Sequence, residues 1–156
     1  MRFADLRNPV LLVASGFGSG LAPRAPGTAG TLVAAVIWLA VFAHLPWYAQ
    51  GVVCAVAAVF GVWLCDRAVA ALGVDDHPAI VWDEFAGVWL ALWLAGPAWI
   101  AVGLAVVMFR VLDIAKPGPV GWAERRWKGG LGVMADDLVA GTLAGVFAAI
   151  GAGLIL

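Results

Sequence analysis

The sequence predicts an all-α membrane protein: a polytopic helix bundle of about five short spans with interfacial helical segments, forming one domain over residues 1–156. Three observations carry that expectation. Of the 156 residues, 64% are hydrophobic and only 12% charged, with a mean hydropathy of +1.00, where a soluble domain carries roughly a quarter charged residues. The apolar runs are continuous rather than alternating. That pattern selects helices over a barrel, the two structures that satisfy every backbone group in hydrocarbon. Finally, the charges are confined to alternate connections between the runs.

The N-terminal stretch carries Arg2 and Arg7, but its apolar run, Pro9–Ala14, is short and breaks at glycines, which argues against a cleaved signal peptide. Five apolar segments follow, at residues 28–44, 48–65, 80–95, 98–112 and 137–155. Each is short of the usual ~20 residues of a span. The third and fourth are separated only by Gly96-Pro97. As one helix they would be too long for a single crossing, so a tight helical hairpin is expected.

Four charged residues precede the first segment, six lie between the end of the second and the first turn of the third, and nine between the last turn of the fourth and the head of the fifth. The connections at 45–47 and 96–97 and the end of the chain have none. Five crossings place every charge on one face, which the positive-inside rule makes cytoplasmic. Trp47 and Trp99 then mark the uncharged interface, and Trp63, Trp82, Trp122 and Trp127 the charged one, as aromatic belts do. The basic, Trp-bearing "PVGWAERRWKGG" from Pro119 reads as a short helix along the membrane surface. A net charge of −1 gives no sign of nucleic-acid binding. Cys54 and Cys65 lie in the second apolar run and show neither a disulfide framework nor zinc spacing.

Within this apolar chain, "VWDEFAGVWLALWLAG" places two adjacent carboxylates, Asp83 and Glu84, at the head of a helix. Asp136 and Asp137 are expected in the first turn of the last one. Helix dipoles favour anions there, which is one account of them. Against it, Asp83 continues at four-residue spacing into Gly87, Ala91 and Ala95, and Asp137 into Gly141 and Gly145. Small residues so spaced mark close helix approach, so both carboxylates are expected to face neighbouring helices. Asp113 ends the fourth helix, where the dipole disfavours an anion, with Arg110 and Lys116 a turn to either side. Ionisable residues at membrane depth are functional candidates by default.

Five carboxylates thus converge from three helices with too few bases to neutralise them. A hard divalent cation such as Mg²⁺ is the economical solution for an oxygen-only set. Asp83, Glu84, Asp113, Asp136 and Asp137 are the expected metal ligands. Arg24, Arg110 and Lys116 lie on the same face as candidate phosphate ligands. The glycine-rich residues 16–30 serve either as an anion cradle ahead of the first helix or as a flexible entry loop. His77 is a candidate proton carrier. No Ser-His-Asp set and no cysteinyl-phosphate arrangement is present.

Four motifs, "GFGSGLAPRAPGTAGT", "DHPAIVWDEFAG", "FRVLDIAKPGP" and "GGLGVMADDLVAG", occur in an order that resembles the bacterial phosphatidylglycerophosphatase A family. The resemblance runs over about residues 16–145. It implies a Mg²⁺-dependent, multi-pass inner-membrane enzyme that hydrolyses phosphatidylglycerophosphate to phosphatidylglycerol and inorganic phosphate at the cytoplasmic face. Its acidic positions fall on Asp83, Glu84, Asp113, Asp136 and Asp137, with Arg110 and Lys116 around Asp113. Asp83, Glu84, Asp113 and Asp137 are the candidates for catalysis. Two alternatives remain beside it: a small ion-coupled transporter, and a phosphatase acting on another phosphorylated lipid headgroup. Confinement of the charges to one face leaves a transporter no relay across the membrane. The long signature of CDP-alcohol phosphatidyltransferases is absent.

Overall fold

The computed structural model describes residues 1–74 and 77–155. Asp75 and Asp76, counted among the charges above, lie outside that range. The described residues form helices joined by short turns, with no strand among them.

Helix α1 (Pro9–Ala14) follows a 3₁₀ turn and starts at Asn8, whose side chain accepts the Val10 N–H at 3.0 Å ahead of Pro9 at the first helical position. Helix α2 (Pro26–Ile37) continues through a π-helical turn, Trp38–Phe42. Helix α3 (Trp47–Leu72) stops at Gly73, whose φ of +67° supplies the left-handed cap. Helices α4 (Trp82–Ala95) and α5 (Trp99–Ala115) form the expected hairpin across Gly96-Pro97. The surface segment is helical as expected, α6 (Pro119–Arg126), and α7 (Gly129–Ile155) closes the bundle.

Two boundaries differ from the sequence expectation. Helix α3 runs on to Leu72 and carries Asp66 and Arg67 on its last turns. Helix α7 begins at Gly129, so Asp136 and Asp137 sit about two turns inside it rather than in its first turn. The early start of α7 has a tertiary cause. The Asp66 carboxylate accepts the Gly130 N–H, and Gly130 lies against the α3 backbone where a Cβ would collide with Val62 O. Tertiary contact thereby keeps a glycine run helical that its propensity alone would leave as a loop.

Helix α4 is the centre of the bundle. Trp82, Phe85, Gly87, Val88, Trp89, Ala91 and Leu92 are all buried on it, with α2, α3, α5 and α7 around them. Its faces are fixed by two devices. Against α7 the small-residue rows meet as expected: a Cβ on Gly141 would strike the Gly87 carbonyl, and one on Gly145 would stand 2.7 Å from Ala91 O. Against α2 and α3, three indole N–H groups donate to main-chain carbonyls: Trp82 to Ala57 at 3.1 Å, Trp89 to Ala34 at 2.8 Å and Trp93 to Trp47 at 3.0 Å. Trp82 is therefore a core residue, not a member of the interfacial belt. The pattern missed this because a buried indole with a partner for its N–H packs as well as a wet one. Trp47, Trp63, Trp99 and Trp122 are exposed as expected.

Helices α3 and α7 are long and apolar enough to cross a membrane, and Pro26–Phe42 forms a shorter apolar stretch. At 14 and 17 residues, α4 and α5 extend about 21 and 26 Å at 1.5 Å per residue, less than a ~30 Å hydrocarbon core. About five spans were expected; by length and apolarity two helices qualify.

Candidate active site

The acidic residues meet where α4 begins, α5 ends and α7 is two turns old. They line one cavity of about 490 Å³ whose wall includes Asp83, Glu84, Arg110, Asp113, Asp136 and Asp137. Asp83 and Glu84 are in the first turn of α4, and the Val81 N–H ahead of them is tied to Ala14 O at 2.9 Å. One carboxylate oxygen each from Asp83, Glu84 and Asp137 lie within 4.8 Å of one another, and so do one each from Asp113, Asp136 and Asp137. Asp136 and Asp137 are 7% and 3% exposed. The convergence of five carboxylates from three helices, expected from the sequence, is thus realised in space.

The bases divide the cluster. Arg110 Nη1 lies 2.5 Å from Asp113 Oδ2, 3.9 Å from Glu84 Oε1 and 3.5 Å from the Thr31 hydroxyl oxygen. Lys116 does not pair with Asp113, its neighbour one turn back. Its Nζ reaches Asp136 Oδ2 at 2.8 Å and Glu124 Oε1 at 2.6 Å. The backbone explains the change of direction. Lys116 caps α5 in the left-handed region at φ +44°, and it precedes Pro117. Both circumstances disfavour that conformation for a side chain with a Cβ, and strain of this kind collects at functional sites. Burial disfavours the Lys116 charge, but the hydrogen bonds to Asp136 and Glu124 outweigh it and hold the ammonium above its ordinary pKa.

Two other candidates lie elsewhere. Arg24 is exposed and makes no ion pair among the described residues. His77 stands outside the cavity wall: its Nδ1 accepts the Ala79 N–H at 3.1 Å and its Nε2 faces the Met1 nitrogen at 3.1 Å. The glycine-rich stretch splits by role. Gly16 and Gly20 pack where a Cβ would strike Phe85 and the Ala79 carbonyl, whereas Ala25, Pro26 and Gly27 line the cavity at the start of α2. A Cβ on Gly27 would collide with Glu84 Oε1, so glycine is what lets α2 approach the carboxylates.

Sequence reasoning missed Thr31, Glu124, Trp127 and Lys128, all but the first of which line the cavity. Thr31 had a readable signal. It stands four residues after Gly27 and donates to Gly27 O at 2.9 Å, which leaves its oxygen to accept from Arg110. Glu124 and Lys128 belonged to a segment read for its membrane affinity.

The donor set suits a hard cation. All the ligands are carboxylate oxygens, and two of the buried ones, Glu84 Oε2 and Asp137 Oδ2, have no hydrogen-bond partner. Orphaned buried acceptors are costly, and a divalent cation would relieve both at once.

Carboxylates able to hold such a cation, beside two bases able to hold an anion, are the parts that an enzyme acting on a phosphate group needs. Comparison with known proteins gives the family. The family model for phosphatidylglycerophosphatase A matches residues 12–152. The phosphatidylglycerophosphatase A of Escherichia coli (strain K12) is 44% identical over 151 residues, which cover 94% of this chain and 86% of the relative. That of Haemophilus influenzae is 37% identical, covering 90% and 86%. A Bacteroides thetaiotaomicron protein, provisionally named phosphatidylinositol-3-phosphatase, is 39% identical, covering 90% and 91%. No solved structure matches the chain. The chain belongs to the phosphatidylglycerophosphatase A family and is a phosphoric monoester hydrolase.

Proposed function

We propose that the chain hydrolyses phosphatidylglycerophosphate to phosphatidylglycerol and inorganic phosphate, with Mg²⁺ held among Asp83, Glu84, Asp113, Asp136 and Asp137. The observation that carries this reading is the pair of orphaned, buried oxygens, Glu84 Oε2 and Asp137 Oδ2, in the same cavity as Arg110 and Lys116. When bound, a divalent cation would supply the charge that acidifies a water and stabilises the transferring phosphoryl oxygens.

The protein's own groups do the rest. Arg110 and Lys116 take the non-bridging oxygens of the terminal phosphate and orient it. One of Asp83, Glu84, Asp113 and Asp137 accepts the proton of the attacking water. The oxygen of that water bonds to phosphorus, the P–O bond to the glycerol breaks, and the proton held by the carboxylate passes to the departing alkoxide to give the alcohol. The buried walls of α4 and α7 limit the water that competes with these contacts.

The same reading places the chain in the bacterial inner membrane, crossed about five times with the cavity on the cytoplasmic side. Support comes from the apolar side chains that α2, α3, α5 and α7 leave exposed, among them Leu32, Val36, Val56, Val59, Val107 and Phe147. Exposed apolar area on this scale needs a lipid or protein partner.

The test is phosphate release by the detergent-solubilised protein from phosphatidylglycerophosphate and from phosphatidylinositol 3-phosphate, each with EDTA and with Mg²⁺. Release from the first lipid with Mg²⁺ and none with EDTA is expected. Preference for the second would reassign the headgroup, and full turnover in EDTA would remove the cation from the reaction.

A further inference from the structure

The two carboxylate sets share one member, Asp137, and they are not equivalent. Asp83, Glu84 and Asp137 include both orphaned oxygens, and the nearest base stays 3.9 Å away. Asp113, Asp136 and Asp137 already hold two cations of the protein's own, Arg110 at 2.5 Å on Asp113 and Lys116 at 2.8 Å on Asp136. Asp137 is 3% exposed, and its Oδ2 is without a partner.

Resting on the phosphatase reading above, we propose that this is a two-cation centre filled in sequence. The free protein takes one divalent cation at Asp83, Glu84 and Asp137. Arg110 and Lys116 meanwhile occupy the second position as stand-ins. A phosphate dianion entering the cavity draws both bases onto its oxygens, and Asp113 and Asp136 are then free to hold a second divalent cation, Asp137 being the residue common to both sets.

Three considerations support the order. Arg110 and Lys116 both line the cavity, with side chains 17% and 30% exposed, so an incoming anion can meet them. Moving a base from a carboxylate to a phosphate exchanges one charge-assisted hydrogen bond for another. A dianion and a dication entering together leave the net charge of the cavity unchanged. A second dication alone would instead push two bases off their carboxylates with nothing to receive them. The coupling must be reciprocal, so each ligand strengthens binding of the other by the same factor.

Mn²⁺ and inorganic phosphate are suitable probes. Equilibrium dialysis of the detergent-solubilised protein should give one Mn²⁺ per chain without phosphate and two with it. Electron paramagnetic resonance should show exchange-coupled Mn²⁺ pairs only in the second case. Saturating Mn²⁺ should tighten phosphate binding about fivefold or more. An Asp113→Asn variant should keep the first ion and lose both the second ion and the coupling. Two ions in the absence of phosphate, one ion under both conditions, or two ions without exchange coupling would each overturn the proposal while leaving a cation-dependent phosphatase standing. No Mn²⁺ under either condition would remove that reading as well.

Discussion

Arg110 and Asp113, one turn apart on α5, are joined at 2.5 Å, and the same guanidinium nitrogen stands 3.9 Å from Glu84 on α4. A single base therefore links the end of one helix to the start of another across the cavity. Its Nε is buried without a partner, so the guanidinium is held by the cluster and has donor capacity to spare.

Asp113→Asn tests whether that link serves folding or chemistry. The change keeps volume and removes an anion that the C-terminal end of a helix disfavours. The melting temperature in detergent should hold or rise, while turnover falls about 10²-fold or more. Arg67→Gln, on the exposed end of α3 beside Trp63, should change neither. Near-normal turnover in Asp113→Asn would show that the carboxylate only neutralises Arg110.

Lys116 carries two separable features, a strained backbone and an ammonium group. Lys116→Ala removes the ammonium and keeps the strain. Lys116→Gly removes both. Both variants should lose activity to the same extent, but the glycine variant should be the more stable by roughly 1 kcal/mol, the lower end of the cost of a left-handed residue with a Cβ. Equal melting temperatures would mean that the turn relaxes without cost.

Partial burial holds His77 below its ordinary pKa. The unfolded chain therefore binds the proton more readily than the folded one. The stability this residue contributes is present above the unfolded value near 6.5 and is lost as pH falls through the lower folded value. His77→Gln should flatten that part of the pH–stability curve and leave turnover intact, since the ring lies outside the cavity wall. Collapse of turnover would restore it as a proton carrier.

Five crossings put Gly96-Pro97 and α6 on opposite sides of the membrane. The native thiols Cys54 and Cys65 are buried, so background labelling should be low. An impermeant maleimide should label Pro97→Cys in intact spheroplasts and Arg125→Cys only after lysis. The reverse pattern, or labelling of both in intact spheroplasts, would overturn the proposed topology.

The helical class, the hairpin at Gly96-Pro97, the surface helix and the meeting of α4 with α7 through small residues were all legible, because each rests on local pattern or on a stop signal. The convergence of the five carboxylates was legible too: spacing put Asp83 and Asp137 on faces that seek neighbours. What escaped depends on contacts distant in sequence. The start of α7 is set by Asp66, more than sixty positions away. Lys116 turns from Asp113 to Asp136 because of a backbone conformation that the sequence before a proline disfavours. Thr31 enters through a side chain on α5. Trp82 was misplaced because burial and interfacial residence call for the same residue type.

The three indole donations that pin α4 to α2 and α3 have a consequence for how this cavity can change over time. The wall built on α4 is fixed at main-chain carbonyls and at glycine contacts that admit no added atom, so nearly any replacement there is felt by several helices together. The opposite rim is the outer face of α6 and the turn after it, where Trp122, Glu124, Arg125, Arg126 and Lys128 are exposed, while Val120, Gly121 and Ala123 behind them are buried. Mutation can reshape that rim with little penalty to folding. Drift between relatives should therefore accumulate there, and changes in which headgroup is admitted should map to it, while the carboxylates beneath stay where the tryptophans put them.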